Sequence, residues 1–179
     1  MLYISYKSVL MLISVFWLLL RGFLYLKNRQ LRILRELQLL LIYIALLVVV
    51  RFTFFPFSRI NGQIQPLILD MARAFHFRIN WIPFVSLMDY PEKKDALLNI
   101  IGNFSMFIPV GILWPIVFRE LKTHRRALAA GVGFSLLIEI VQLPFYDRVT
   151  DIDDLILNSL GCAVGYGILL LVRLLRKRK

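Results

Sequence analysis

Three carboxylates and an amide stand together in the segment TDIDDLILNSLG, residues 150–161. Asp154 and Asn158 are spaced i, i+4, which places both side chains on one face of a helix. Carboxylates can hold a divalent cation, orient a bound group or cap a helix N-terminus. Only one of Asp151, Asp153 and Asp154 is needed to cap the helix, so the other two suggest a binding role.

Other apolar stretches also carry polar side chains at helical spacing. Asn99 and Asn103 are spaced i, i+4, Glu139 and Gln142 are spaced i, i+3, and Arg51 lies late in an apolar run. A charge at the centre of a membrane helix costs roughly 2.5–3.5 kcal/mol, so such groups normally face the bundle interior and find partners. We therefore expect an ion pair between Glu139 and Arg51, with the amide side chains supplying hydrogen bonds.

The composition indicates what kind of protein positions these groups. The chain has 179 residues, of which 59% are hydrophobic, whereas a soluble domain would be nearer half apolar. The sequence predicts an all-α, polytopic helix bundle in the cell membrane, formed by a single transmembrane domain over residues 1–179. The net charge of +11 comes from Lys and Arg in short loops and at the C-terminus. This distribution is typical of a membrane protein and argues against a nucleic-acid partner.

Five segments are long enough to cross a bilayer at a rise of about 1.5 Å per residue. They cover roughly residues 5–26, 37–57, 96–118, 127–146 and 154–175. Basic residues follow the first and third segments and end the chain. These three sites share the cytoplasmic side only if the N-terminus lies outside and the C-terminus is cytoplasmic. This topology brings the polar side chains to the outer ends of four helices, where they would line one polar pocket.

The loop after the second predicted span has a helical pattern over residues 65–84. Pro66 could open such a helix and Pro83 would stop it. The pattern predicts an amphipathic helix in the outer headgroup region, with Trp81 as an interfacial anchor. A structured cap over the bundle is the alternative. The residues that share one stripe at helical spacing are Leu67, Met71, Ala74, Phe75 and Arg78.

Small residues predict close contacts between helices. Gly161 and Gly165 continue the stripe of Asp154 and Asn158, and they form a GxxxG pair of the kind that lets two helix backbones approach. Further positions that would permit a kink or a tight contact are Pro109, Gly111, Gly131 and Gly133.

A resemblance to the VanZ-like membrane proteins is carried by four segments, which are NWIPF (80–84), NIIGNFSMFIPVG (99–111), EIVQ (139–142) and RVTDIDDLILNSLG (148–161). Their order is that of the family, and they lie in about the C-terminal two-thirds of the chain. The resemblance implies an association with resistance to glycopeptide antibiotics, especially lipid-tailed ones such as teicoplanin, in Gram-positive bacteria. It supplies no biochemical mechanism, and a housekeeping role at the cell envelope is equally compatible.

A binding function is the first interpretation. The outward-facing pocket would bind a lipid-linked or amphiphilic envelope molecule among the membrane lipids, such as a cell-wall precursor or a lipoglycopeptide. An arginine would meet a phosphate or carboxylate of that molecule. The candidate ligand-binding residues are Arg51, Asn99, Asn103, Glu139, Gln142, Arg148, Asp151, Asp153, Asp154 and Asn158.

An intramembrane enzyme that modifies an envelope lipid is the second interpretation. Glu139 would be its catalytic general base, and a divalent cation held by Asp151, Asp153 and Asp154 would be its only cofactor. The sequence has no Ser/His/Asp or Cys/His constellation, which favours binding over catalysis. A transporter with Glu139 as the titrating group is a third interpretation, disfavoured by five spans without a repeat. A purely structural role for Glu139, fixing helix register, stands beside all three.

Overall fold

The computed structural model describes residues 1–29, 32–55, 59–69, 78–85 and 92–178. It confirms an all-α bundle, in which the helices begin and end close to the predicted spans. The helices are α1 (Tyr6–Asn28), α2 (Ile33–Phe54), α3 (Lys93–Val117), α4 (His124–Gln142) and α5 (Ile152–Lys177), with a 3-10 turn at Arg119–Leu121 before α4.

Four of these helices, α1, α2, α3 and α5, are long and apolar enough to cross a membrane, so the chain is a multi-pass membrane protein. The predicted fourth span forms α4, which does not belong to this group. It has 19 residues, and the charged or amide side chains near its two ends, among them Arg125, Arg126, Glu139 and Gln142, lower its apolar content. Glu139 and Gln142 are buried against other helices, so α4 depends on its neighbours to cover its polar groups.

The first three helices alternate in direction. Ser14 on α1 contacts Tyr43 on α2 at 2.6 Å between hydroxyl oxygens, and Arg21 pairs with Glu36 further along, so α1 and α2 are antiparallel. At the start of α2, Arg35 donates to the carbonyl of Val117 at the end of α3. Helices α2 and α3 are therefore antiparallel as well.

Helices α3 and α5 run parallel, with α4 returning between them. Asn103, in the first half of α3, donates to Asp154 near the start of α5. Near the end of both helices, the guanidinium of Arg173 lies 3.5 Å from the carbonyl oxygen of Pro115. The hydroxyl of Tyr166, late in α5, donates over 2.8 Å to a carbonyl just before α4. Because α3 and α5 point the same way, α4 must carry the chain back along the bundle.

These directions separate the two ends of the bundle. The starts of α1, α3 and α5 lie with the ends of α2 and α4, and we call this the outer end after the predicted topology. The basic segments, around residues 27–29, 32–35, 119–126 and 173–178, all lie at the opposite end. The fold therefore agrees with the predicted separation of basic loops from polar helix termini.

Short strands join the outer loops to the helix termini. β1 (Leu2–Ile4) pairs antiparallel with β4 (Leu67–Leu69). β2 (Arg59–Ile60) and β3 (Gln63–Ile64) form a hairpin, and its turn at Asn61 and Gly62 has φ of 51° and 74°. Positive φ at both central residues is the usual geometry of a two-residue hairpin turn. β5 (Ile79–Asn80) pairs in parallel with β6 (Thr150–Asp151), just before α5.

The predicted amphipathic helix over residues 65–84 is wrong at both of its ends. Leu67–Leu69 and Ile79–Asn80 are strands, because each finds a backbone partner at the outer end of the bundle and this tertiary pairing overrides the helical spacing. The middle of that prediction, residues 70–77, lies outside the described residues. The ends agree with the alternative of a structured cap, and Trp81 is 71% exposed.

Glycines account for the closeness of α3 and α5. A Cβ added to Gly161 would clash with the carbonyl of Phe104, and one added to Gly165 would clash with the carbonyl of Ile108. Gly111 faces the backbone of α5 in the same way, and Gly131 faces the sulfur of Cys162. The predicted tight contacts are confirmed at these positions. Gly133 makes no tight contact, because there is open space to 4 Å around it.

Candidate functional site

The seam between α4 and α5 contains two layers of polar side chains. In the outer layer, Glu139 accepts a hydrogen bond of 3.0 Å from the backbone N–H of Asp151. One helical turn deeper, the amide of Asn158 donates to the hydroxyl of Ser135 over 2.9 Å. Glu139, Ser135 and Asn158 are all buried, with Asn158 only 1% exposed. The antiparallel helices thus bring polar groups together at two successive depths.

Helix α3 contributes amides to the outer layer. The side-chain NH₂ of Asn103 donates to the carboxylate of Asp154, and it also lies 3.3 Å from the side-chain oxygen of Asn99. Asn99 reaches the same carboxylate, and Asp154 is close enough to Glu139 for the two acidic groups to repel. The predicted juxtaposition of the α3 amides with acidic groups from α4 and α5 is therefore present.

Gln142 connects α4 to α2. Its side-chain NH₂ donates over 2.6 Å to the backbone carbonyl of Thr53 in the last turn of α2. That carbonyl has no intrahelical partner because it lies at the helix C-terminus. The hydroxyl of Thr53 in turn donates to the carbonyl of Val49 over 2.8 Å. The bond from Gln142 therefore holds the outer end of α2 against the α4–α5 seam.

Asp151, Asp153 and Asp154 do not act as one cluster. Asp151 is the N-cap of α5, because its carboxylate accepts from the backbone N–H of Asp153 at 3.0 Å. Asp153 points to the outer loop and accepts from the N–H of Phe84 at 2.8 Å, while Asp154 faces α3. Within the described ranges, no group of three or more acidic, His or Cys side chains is arranged to hold a metal ion.

Two of these aspartates hold the loop that contains the NWIPF segment. Asn80 donates to the carboxylate of Asp151 at 3.2 Å, beside the backbone pairing of β5 with β6. Asp153 anchors the far end of the segment at Phe84, whose φ of 69° is unusual for a residue with a large side chain. The loop is therefore fixed over the start of α5.

The expected ion pair between Arg51 and Glu139, both within the described part of the chain, does not form. The guanidinium of Arg51 donates to the carbonyl of Phe55 at 3.0 Å and lies 5.6 Å from the ring centre of Tyr6. Arg51 thus closes the C-terminus of α2 and contacts an aromatic face. Arg148 instead lies where its charge attracts that of Asp154.

Several site residues were not predicted from the sequence. Ser135, one turn below Glu139 on α4, is completely buried and binds Asn158. Its i, i+4 spacing from Glu139 is the signal that could have identified it. Thr150 donates to the backbone carbonyl of Glu139 at 3.0 Å, and Asn80 binds Asp151. These two contacts depend on loop positions that helical spacing does not specify.

We define the outer polar cluster as the six side chains that these contacts bring together from α3, α4 and α5: Asn103, Ser135, Glu139, Gln142, Asp154 and Asn158. The order of these groups along three consecutive helices can be compared with known proteins. The family model described as VanZ/LLP1 matches residues 40–173, which include all six. The chain belongs to the VanZ/LLP1 family.

Two curated relatives from Gram-positive bacteria are similar to this VanZ/LLP1 chain. Protein VanZ of Enterococcus faecium is 30% identical over 103 residues, which are 58% of this chain and 59% of that protein. The uncharacterized membrane protein YwnJ of Bacillus subtilis (strain 168) is 28% identical over 113 residues, which are 60% of this chain and 76% of that protein. No solved structure matches the chain. The VanZ/LLP1 match begins within α2, so α1 and the basic loop after it lie outside the shared region.

Proposed function

We propose that this VanZ/LLP1 protein binds the polar head of an amphiphilic envelope molecule at the outer end of its bundle. The observation that carries the proposal is the convergence of polar groups from α3, α4 and α5 at one end, including a glutamate that is only 3% exposed. Buried polar side chains in a membrane bundle are costly, and they typically mark substrate or ligand paths.

The outer loop supports an amphiphile in preference to a soluble ligand. Three large apolar side chains of this loop, Trp81, Ile82 and Phe84, are more than half exposed. The same loop is tied to the start of α5 through Asp151 and Asp153. An apolar surface fixed beside a polar cluster matches a molecule with a hydrocarbon tail and a polar head.

The resemblance to VanZ-like proteins suggests which amphiphiles to test. These are a lipid-linked cell-wall precursor and a lipoglycopeptide such as teicoplanin. Binding of either molecule at the outer leaflet would give the protein a role in teicoplanin resistance at the cell surface. A role on a normal envelope lipid would use the same arrangement of side chains.

The test is the teicoplanin susceptibility of a Gram-positive host that expresses the wild-type chain or a variant at equal protein level. We expect Glu139→Gln to lose protection, since the outer layer loses one of its acidic groups while the side chain keeps its size. Glu36→Gln is the matched control, because Glu36 is a carboxylate at the opposite end of the bundle. Equal protection by Glu139→Gln and the wild type would remove Glu139 from the function.

A catalytic alternative is favoured by one observation, the two neighbouring acidic groups of Glu139 and Asp154. In this alternative Glu139 is the general base that modifies a cell-envelope lipid. Mass spectrometry of lipid extracts from expressing and non-expressing cells separates the two functions. A new or depleted lipid that depends on Glu139 would establish catalysis, whereas protection with an unchanged lipid profile would establish binding.

A further inference from the structure

The donors and acceptors of the outer polar cluster are unequally used. The NH₂ groups of Asn103, Gln142 and Asn158 donate to Asp154, to the carbonyl of Thr53 and to Ser135. In contrast, the side-chain oxygens of Gln142 and Asn158 are buried and accept no hydrogen bond from the described residues. Each of these amide nitrogens therefore donates within the fold, and the amide oxygens of Gln142 and Asn158 are open to a ligand.

The acidic side chains show the same imbalance. Glu139 uses only one of its carboxylate oxygens in hydrogen bonds within the described chain, where Asp151 is its donor. Asp153 uses one oxygen on Phe84, and its second oxygen is buried without a partner among the described residues. Carboxylate and amide oxygens can only accept hydrogen bonds. A group that satisfies them must bring N–H or O–H donors.

The open amide oxygens lie on the same helix faces as the acidic groups. Asn158 is one turn from Asp154 on α5, and it contacts Ser135, which is one turn from Glu139 on α4. Gln142 follows Glu139 at i+3. An incoming donor between α4 and α5 thus meets acidic groups in the outer layer and a neutral acceptor one turn deeper.

We infer that the outer polar cluster recognises a primary ammonium group carried by an amphiphile. An ammonium group supplies three N–H donors and a positive charge, which complement two acidic groups and the amide oxygen of Asn158. A phosphate or carboxylate would instead face the acceptor oxygens of Glu139, Gln142 and Asn158, since the charge of Arg148 is already directed to Asp154. The hydrocarbon tail would remain beside Trp81, Ile82 and Phe84. The inference rests on the proposed function, and it specifies the chemistry of the polar head.

The test uses the purified full chain in phosphatidylglycerol nanodiscs, which contain no amine. Dodecylamine is the probe, and dodecyltrimethylammonium is its control because it has the same tail and charge but no N–H. We expect saturable binding of dodecylamine by thermal shift, and binding of the trimethylammonium compound that is weaker by about tenfold or more, since charged hydrogen bonds are lost. Equal binding of the two compounds, or no binding of dodecylamine, would overturn the inference.

Two variants of Asn158 and one control variant assign the contact. Asn158→Leu should weaken dodecylamine binding by about tenfold, while Glu36→Gln at the opposite end should leave it unchanged. Asn158→Asp keeps an acceptor, accepts from the hydroxyl of Ser135 and adds charge, so it should bind dodecylamine at least as tightly as the wild type. Weaker binding by Asn158→Asp in a folded protein would contradict the assignment, even if Asn158→Leu fails to fold.

The source of the amine is distinguished by competition. Phosphatidylethanolamine in the nanodisc should displace dodecylamine if a lipid headgroup is the ligand. Palmitoyl-lysinamide added to phosphatidylglycerol nanodiscs should displace it if the amine belongs to a peptide-bearing amphiphile. Loss of teicoplanin protection by Glu139→Gln, together with a failure of dodecylamine to bind, would leave the proposed function standing and reject only the ammonium.

Discussion

Replacing Gly161 with alanine should weaken the contact between α3 and α5. The added Cβ would lie against the carbonyl of Phe104, and neither a helix backbone nor its carbonyl can rotate away as a side chain can. Inserting a methyl group into a packed interface costs about 1–3 kcal/mol. Gly-to-Ala substitution within a helix also gains up to about 1 kcal/mol in propensity. Gly167→Ala is the matched control, because nothing lies within 4 Å of its added Cβ.

The two variants therefore share the propensity gain and differ by the clash. We expect Gly161→Ala to be less stable than Gly167→Ala by about 1–3 kcal/mol, which corresponds to about 2–4 °C in Tm for each kcal/mol in a chain of this size. Thermal unfolding in detergent can be followed by tryptophan emission, since Trp114 packs on Phe134 in the core at 5.2 Å between ring centres. Equal unfolding temperatures for the two variants would refute the close approach of the two backbones.

Two other predictions test the topology and the outer layer. Cys162 is 1% exposed, so the wild type should resist a membrane-impermeant maleimide applied to intact cells. Under the assigned orientation, this reagent should label Trp81→Cys and should not label Lys177→Cys. The reverse labelling pattern would show that the orientation is inverted. Asn103→Leu should destabilise the protein by about 1–3 kcal/mol, because the carboxylate of Asp154 loses a buried donor. The midpoint of thermal unfolding measures this loss. An unchanged midpoint would show that the hydrogen bond contributes nothing to stability.

The polar side chains of three helices could be located from the sequence because two simple regularities suffice. Helical spacing fixed that Asp154 and Asn158 share a face, and the distribution of basic loops fixed that α3 and α5 begin at the same end. Parallel helices that begin at the same end can bring Asn103 and Asp154 together, and in the structure the two side chains are hydrogen-bonded.

Partner choice could not be predicted in the same way. Spacing along one helix does not specify the rotation of the next helix, so Arg51 was assigned to Glu139 although it binds the carbonyl of Phe55. The donor that Glu139 meets is a backbone N–H of Asp151, which no side-chain pattern reveals. A prediction that pairs charged side chains from the sequence alone therefore overlooks the backbone N–H and C=O groups, which compete for the same hydrogen bonds.

Acidic residues that are close in sequence at the start of a helix do not necessarily direct their side chains to one place. Successive side chains are about 100° apart around the axis, since 3.6 residues complete a turn. Asp153 and Asp154 consequently point to the outer loop and to α3, while Asp151 caps the helix. Three acidic residues in four positions thus make three different contacts.

The choice between a structural staple and a ligand site depends on the acceptors that the fold leaves open. A staple that only fixes helix register would be most stable with every buried polar atom paired, because each unpaired one costs about 1–3 kcal/mol. Gln142, Asp153 and Asn158 each keep a buried side-chain oxygen without a partner among the described residues, although the other polar atom of each side chain forms a hydrogen bond. Apolar replacements would remove this cost, so stability alone does not account for these side chains. The proposed ligand, which would donate hydrogen bonds at the outer end, would account for them.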